Sequence, residues 1–104
     1  RILQGSQKAS LNIVGLFCFK MKHYTYILYS EKINHYYVGY TSDLLEERLR
    51  KHNTNHKGYT GKTNDWVIVY FDTYESRKEA YARERDIKSK KSRIYIEKLI
   101  SSSG

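Results

Sequence analysis

The chain has 104 residues, of which 39% are hydrophobic, and a formal net charge of +8. This length fits one domain with a single core, and no apolar run approaches the roughly 20 residues that a membrane-spanning helix needs. The positive charge favours a polyanionic partner, either nucleic acid or a membrane surface. The single cysteine, Cys18, excludes an internal disulfide framework and a multi-cysteine zinc site, so a reducing, cytoplasmic setting is expected.

The first 20 residues differ from the rest of the chain. The only methionine, Met21, stands immediately before the first predicted strand, whereas residues 11–19 form a short apolar run with no cleavage pattern after it. We interpret residues 1–20 as a vector-derived or mis-started leader outside the fold, and residues 21–104 as the domain. The alternative is that residues 11–19 add an edge strand or a short helix to that domain.

Residues 24–40 predict a β-hairpin. Two runs rich in aromatic and β-branched residues flank a short polar connection that contains Asn34, which is the usual pattern of two paired strands. Gly39 lies beside Tyr37 and is expected to leave a bare patch of backbone that a ligand can approach closely. The simpler interpretation of this hairpin is a sheet core that is rich in tyrosine.

A helix is predicted next, over about residues 44–53. Asp43 and Glu46 have the spacing of a capping box, and two leucines four residues apart would face the sheet. Arg48 and His52 are also four apart, so they share a neighbouring stripe of the helix. An ordinary solvated basic face is the alternative interpretation of that pair.

Residues 55–64 form a polar connection in which Lys57, Tyr59 and Lys62 alternate with two glycines. Such a segment is either a plain linker or a mobile arm over a phosphate backbone. Residues 66–71 are apolar on both faces, which predicts a buried strand that is covered on both sides.

A second capping box, at Ser76, begins a helix that is predicted to end near residue 88. Helical geometry places Glu84 on the apolar arc of this helix, between Ala80 and Ile87. A carboxylate on a core-facing stripe is costly unless it is paired or binds a cation. We therefore expect Glu84 either to hold a metal ion or to form a buried salt bridge with Arg48.

The C-terminal part of the chain is basic and then amphipathic. Residues 88–93 contain lysine and arginine but no acid, and Ser92 is a suitable cap for a short helix over residues 94–100. Residues 101–104 are expected to fray. The sequence contains no internal repeat and no second domain.

Taken in order, these residues resemble the GIY-YIG nuclease family, in particular its small stand-alone bacterial members. The resemblance covers residues 24–100, and the motifs that carry it are Tyr24-Thr25-Tyr26, Tyr37-Val38-Gly39, Arg48, His52 and Glu84. In the first motif the Gly and Ile of the family signature are replaced by Tyr and Thr. The asparagine that follows the metal-binding helix in many members is replaced here by the segment that begins at Lys91.

The resemblance implies an α+β fold, a small three-stranded antiparallel sheet flanked by helices in the order β-β-α-β-α-α. It also implies a metal-dependent endonuclease that hydrolyses phosphodiester bonds, of DNA rather than RNA, with weak sequence specificity. Glu84 would hold one divalent cation, Mg²⁺ or Mn²⁺. Tyr26 and Tyr37 would line the site, Arg48 would bind the reacting phosphate or activate a tyrosine, and His52 would orient the nucleophile or shuttle a proton.

The same resemblance makes nucleic acid the expected partner, and the predicted phosphate-binding residues are Lys57, Lys62, Lys88, Lys90, Lys91 and Arg93. The main alternative is a degenerate nuclease fold that binds nucleic acid without cutting it. A weaker alternative is a basic protein that docks on ribosomes or membranes. The presence of all five catalytic-type residues in one chain favours the enzyme, and the sequence leaves the oligomeric state open.

Overall fold

The computed structural model describes residues 22–54 and 56–103, so the leader assigned to residues 1–20 lies outside the described residues. The elements, in chain order, are β1 (His23–Ser30), β2 (His35–Thr41), α1 (Leu45–His52), a short 3₁₀ helix (Tyr59–Lys62), β3 (Val67–Tyr74), α2 (Arg77–Ser89) and α3 (Arg93–Ser103). The predicted α+β fold with the order β-β-α-β-α-α is confirmed. No helix within the described ranges is long and apolar enough to cross a membrane.

The three strands form one antiparallel sheet in the order β2-β1-β3. The predicted hairpin is present, and Asn34 closes its turn with a left-handed φ of 54°, a conformation that asparagine tolerates better than most residues. In the register of the sheet, Tyr26 of β1 lies opposite Gly39 of β2. This pairing brings the two family signatures side by side.

The strand predicted over residues 66–71 is present as β3, but the prediction that it is covered on both sides was wrong. Trp66 is buried but precedes β3, and Val67, the first residue of β3, is 51% exposed. The strand that is covered on both faces is β1, because it lies between the other two strands and has helices on either side. β3 lies at the edge of the sheet, and most of its residues are only partly buried.

Alternation along β1 divides the core into two layers. On one face Tyr26 and Leu28 pack with Trp66 and against α1, whose Leu45 and Leu49 face the sheet as predicted. On the other face Ile27, Val38 and Ile87 form a cluster that α3 completes with Tyr95, Ile96 and Leu99. α1 therefore covers one face of the sheet, and α2 with α3 covers the other.

The predicted helix caps were correct at two helices and wrong at one. The capping box at Asp43 was wrong: α1 begins one residue later, its cap position is Leu44, and no side chain caps it. The backbone amide of Asp43 instead donates to Thr41 Oγ1 at 3.0 Å. Ser76 does cap α2, since its hydroxyl accepts from the Glu79 amide at 3.1 Å. Ser92 likewise caps α3, which extends to residue 103 instead of fraying after residue 100.

Candidate active site

A groove of about 420 Å³ runs along the free edge of β2. Because α1 covers one face of the sheet and α2 the other, side chains from both helices reach this edge. Tyr37 and Gly39 supply the strand part of the lining, Arg48 comes from α1, and Glu84 comes from α2. Three of the five predicted catalytic residues therefore share one groove, although they lie far apart in the sequence.

Tyr26 and His52 are not among the residues that line this groove. Tyr26 is 1% exposed, and its hydroxyl oxygen lies 2.7 Å from His52 Nε2 and 3.5 Å from Arg48 Nε. His52 is also buried, and it lines an adjoining cleft of about 350 Å³ that shares Tyr37 and Arg48 with the groove. These two residues thus support the wall of the groove from inside the protein.

The electrostatics of this pair keep both side chains neutral. Burial raises the pKa of Tyr26 to about 12, although the nearby Arg48 acts in the opposite direction. Burial also lowers the pKa of His52 to about 4, assisted by the charges of Arg48 and His56. At neutral pH the contact is therefore a hydrogen bond between a phenol and a neutral imidazole.

Arg48 remains available to a ligand. The hydrogen bond to the Tyr26 hydroxyl raises its pKa above the ordinary value, so the guanidinium stays charged. That contact uses only Nε, and no described residue accepts a hydrogen bond from the two terminal nitrogens. A planar pair of free donors at the rim of a groove matches the geometry of a phosphate or a carboxylate.

Tyr37 lies at the junction of the groove and the adjoining clefts. Its ring contacts His52 and Trp66 and stacks against Tyr59 at a centroid distance of 6.1 Å and an angle of 19°. Within the described residues, no hydrogen-bond partner meets its hydroxyl. Tyr37 is therefore the signature tyrosine whose hydroxyl is free to meet a substrate or a water molecule.

Gly39 lines the groove, and it is also required for the packing of the two signature tyrosines. A Cβ at residue 39 would lie 2.7 Å from the Tyr26 hydroxyl oxygen and 2.9 Å from Tyr37 Cε2. The two tyrosines thus occupy the space that the Cβ of another residue would need. A glycine at this position allows both rings to approach the same point of the strand.

Glu84 lies on the buried face of α2 with Ala80 and Ile87, as the helical pattern predicted. The expected alternative partner, Arg48, does not pair with it. The carboxylate instead meets Lys88 Nζ at 2.6 Å, one turn later on the same helix. The side chain of Glu84 is 9% exposed and that of Lys88 is 45% exposed, so the lysine reaches in from the surface.

Glu84 could supply a single carboxylate ligand to a hard divalent ion. Within the described part of the chain no group of three or more histidine, cysteine, aspartate or glutamate side chains could hold a metal. Mg²⁺ often uses only one or two carboxylates and completes its shell with waters and substrate phosphates. Glu84, on the wall of an open groove and opposite Arg48, is a donor of that kind.

The predicted phosphate-binding residues have different positions. Lys88 faces Glu84, and Lys90 pairs with Asp86 at 3.6 Å. Arg93 donates to the carbonyl and side chain of Asn34 at 3.0 and 2.6 Å, so its guanidinium fastens α3 to the hairpin turn. Lys91 lines a cleft with Tyr37 and Tyr59.

The remaining two predicted residues lie in the loop between α1 and β3. The Lys62 ammonium lies 4.5 Å from the centre of the Tyr59 ring, and Lys57 is exposed. Of the six predicted residues, Lys88 and Lys91 line the cleft beside Tyr37, and Lys62 lies against Tyr59.

Sequence reasoning missed the residues that fix this loop. The side chain of Asn53 bridges the backbone of Trp66, accepting from its amide at 2.8 Å and donating to its carbonyl at 3.1 Å. The Trp66 indole in turn donates to the Thr60 carbonyl at 2.8 Å, and the Thr60 hydroxyl contacts His52. An Asn at the end of a helix and a Trp just before a strand were the signals available in the sequence.

Comparison with known proteins is consistent with this geometry. The family described as the GIY-YIG catalytic domain matches residues 22–98. UPF0213 protein SH2523 of Staphylococcus haemolyticus is 41% identical over 70 residues, which cover 65% of this chain and 82% of the relative. UPF0213 protein HQ_3675A of Haloquadratum walsbyi is 37% identical over 68 residues, covering 64% and 74%. No solved structure matches the chain significantly. The chain belongs to the GIY-YIG family of nuclease domains.

Proposed function

We propose that this protein is a divalent-metal-dependent endonuclease that hydrolyses phosphodiester bonds of nucleic acid, DNA in preference to RNA, with weak sequence specificity. The observation that carries the proposal is the groove at the edge of β2, where the carboxylate of Glu84, the guanidinium of Arg48 and the hydroxyl-bearing ring of Tyr37 share one lining. A carboxylate and a cation that line the same groove suit a substrate that carries a phosphate.

Glu84 would hold Mg²⁺ or Mn²⁺ in this groove. The ion, when bound, supplies Lewis-acid stabilisation of charge on the scissile phosphate and the leaving oxygen. In the metal-free protein the Lys88 ammonium compensates the buried carboxylate. The lysine is half-exposed, so it can turn outward into water at little cost.

Arg48 binds the phosphate in this proposal. Its two terminal nitrogens are free among the described residues, and a bidentate contact from a guanidinium stabilises the extra charge of a five-coordinate phosphorus. The Nε contact to Tyr26 restricts the orientation of the guanidinium. Restricting it beforehand reduces the entropy that is lost when the substrate binds.

We assign contact with the attacking water to Tyr37. With a pKa of about 12, ionising Tyr26 at neutral pH would cost about 7 kcal/mol, because each pKa unit corresponds to about 1.4 kcal/mol. Tyr26 therefore acts as a neutral support whose hydroxyl contacts Arg48 and His52. Tyr37 has the hydroxyl that lies at the groove without a described partner.

Binding of the nucleic acid backbone is assigned to Lys91, which lines the cleft beside Tyr37, and to Lys62, whose ammonium lies against the Tyr59 ring. The net charge of +8 supports contact with a polyanion in general. Contacts of this kind attract the phosphate backbone irrespective of base sequence, which is why weak sequence specificity is expected.

The experiment is cleavage of supercoiled plasmid by the purified protein in Mg²⁺ or Mn²⁺ and, in parallel, in excess chelator. A single-stranded DNA and an RNA of the same sequence test the preference for DNA. Nicking that needs the divalent ion supports the enzyme. Tight, salt-sensitive binding without any nicking would instead support the alternative function, a nucleic-acid-binding module on a nuclease fold.

A further inference from the structure

The hydrogen bond between Tyr26 and His52 is one link of a longer chain that reaches the protein surface. His52 Nδ1 lies 2.7 Å from Thr60 Oγ1, and His56 Nε2 lies 3.0 Å from the same oxygen. His56 Nδ1 lies 2.7 Å from the carbonyl oxygen of Thr54. The buried Tyr26 hydroxyl is thereby connected, through His52 and the Thr60 hydroxyl, to the exposed His56.

The last contact of this chain fixes the direction of all the others. A carbonyl oxygen can only accept, so His56 Nδ1 carries the hydrogen and, in the neutral ring, Nε2 is an acceptor. The Thr60 hydroxyl therefore donates to His56, and its oxygen accepts from Nδ1–H of His52. His52 Nε2 is then left as the acceptor for the Tyr26 hydroxyl, so every contact has one donor and one acceptor.

This direction has a consequence for Arg48. When the hydrogen of the Tyr26 hydroxyl points to His52, the phenol oxygen presents a lone pair to Arg48 Nε. We propose that Thr60 and His56 are positioning residues that hold the Tyr26 hydroxyl in this direction and, through it, orient Arg48 for a phosphate. This inference rests on the proposed function, in which Arg48 is the phosphate-binding group.

The loop between α1 and β3, which carries these hydrogen bonds, is tightly closed. A Cβ at residue 61 would lie 1.9 Å from the carbonyl oxygen of His56, so only Gly61 allows the backbone of His56 to cross at this point. The indole of Trp66, which is 1% exposed, holds the Thr60 carbonyl at 2.8 Å. Both ends of the Thr60–His56 contact are therefore fixed by the fold.

Loss of the His56 acceptor would remove this direction. Without it, the Thr60 hydroxyl can donate to His52 Nδ1 as well as accept from it, because a hydroxyl is both a donor and an acceptor. The hydrogen of the His52 ring could then reside on Nε2 and point to Tyr26, which would have to direct its hydroxyl hydrogen elsewhere.

The other charged and titratable groups that line the cleft around His56 come from three elements. They are Arg48, Lys51 and His52 of α1, Tyr37 of β2 and Tyr59 of the 3₁₀ helix. No carboxylate lies among the residues that line this cleft.

The test is the tautomer of His52, read from long-range ¹H–¹⁵N spectra of histidine-labelled protein. In the wild type we expect the Nδ1–H form at about pH 8. In His56→Leu the Thr60 hydroxyl loses the acceptor that fixes its hydrogen, so the preference for the Nδ1–H form should weaken. His35→Leu removes another exposed histidine, one that takes no part in this series of hydrogen bonds, and it should behave as the wild type does.

A matched pair of variants tests the hydroxyl. Thr60→Val keeps the shape of the side chain but offers no acceptor, so the preference for the Nδ1–H tautomer should be lost and cleavage should fall by about 10-fold, a typical cost for a supporting contact. Thr60→Ser keeps the hydroxyl and should retain both properties. Melting curves establish that each variant is folded, and the His56→Leu arm remains decisive if Thr60→Val is not.

The inference is overturned if His52 is in the Nε2–H form at about pH 8 in the wild type. An unchanged preference for the Nδ1–H form in His56→Leu would overturn it equally. The spectra require no nuclease activity, so a protein that shows the expected tautomers but does not cleave would refute the proposed function and leave the hydrogen-bond chain intact.

Discussion

The carboxylate of Glu84 and the ammonium of Lys88 lie 2.6 Å apart, one helical turn from each other on α2. The carboxylate is nearly buried, whereas the lysine reaches it from the surface. In the proposed metal site, a divalent ion that binds Glu84 would have to replace this internal cation. The pair would therefore link the stability of the metal-free protein to its affinity for metal.

Lys88→Met should show this link directly. The variant leaves a nearly buried carboxylate without its cation, so we expect a loss of about 1–3 kcal/mol of folding stability. Saturating Mn²⁺ should raise the melting temperature of the variant more than that of the wild type, because the ion no longer competes with the lysine. Lys90→Met is the control, since Lys90 pairs at 3.6 Å with an exposed Asp86. Equal Mn²⁺ shifts in all three proteins would contradict this account of Lys88.

Arg48→Lys should damage catalysis more than its conserved charge implies. A lysine offers a single ammonium in place of the planar fork that is free at the groove. We expect cleavage to fall on the order of 100-fold, as for the loss of one donor to a transition state, with little change in nucleic acid binding. Single-turnover cleavage and a binding titration at the same salt concentration measure the two effects. Near-normal turnover would show that Arg48 has no catalytic role and is only a surface charge.

Gly39→Ala should disturb the two signature tyrosines. The added methyl group would lie 2.7 Å from the Tyr26 hydroxyl and 2.9 Å from the Tyr37 ring, so at least one ring must shift. Overpacking of this kind costs about 1–3 kcal/mol, which denaturant unfolding can measure. Gly58→Ala is the control, because its nearest contact is the exposed His56 ring at 3.2 Å. Equal losses in the two variants would argue that Gly39 has no special role.

His52 should make the folded protein sensitive to acid. Its pKa is lowered to about 4 from an ordinary value of 6.5, so between these values the unfolded chain binds a proton that the folded protein does not. Stability should therefore decrease as the pH falls from about 6.5 to about 4, by up to about 3 kcal/mol. Denaturant unfolding at several pH values measures the decrease.

The comparison for this prediction is His52→Gln, which has no group that titrates in that range. It should lose stability less steeply than the wild type as the pH falls, whereas His35→Gln, at an exposed position, should follow the wild type. Parallel pH curves for His52→Gln and the wild type would show that His52 is charged or exposed in the folded protein.

The sequence predicted the parts of the fold that depend on local periodicity. The spacing of four residues on α1 correctly placed Leu45 and Leu49 against the sheet, and the helical arc of α2 correctly placed Glu84. The cap at Ser76 also followed from local spacing. The cap at Asp43 failed because the helix started one residue later, a shift that spacing alone does not detect.

The contacts that close the loop between α1 and β3 were not predictable in the same way. Thr60 and His56 reach His52 only because Asn53 and Trp66 join the two ends of the loop, and such closure depends on the tertiary fold. The partner of Glu84, by contrast, was open to local prediction. Lys88 follows Glu84 by four residues on α2, a spacing at which glutamate and lysine pair, whereas Arg48 lies on α1.

The most direct test of the central claim is Glu84→Gln, with thermal melting, DNA binding and cleavage in Mg²⁺ and Mn²⁺ measured on the same preparation. The change leaves Lys88 unpaired, but its half-exposed ammonium can turn into water, so stability should stay within about 1 kcal/mol of the wild type. We predict a folded protein that binds DNA as the wild type does and does not cleave it with either ion. A folded, binding-competent Glu84→Gln protein that still cleaves DNA would contradict the metal site at Glu84 and the proposed reaction with it.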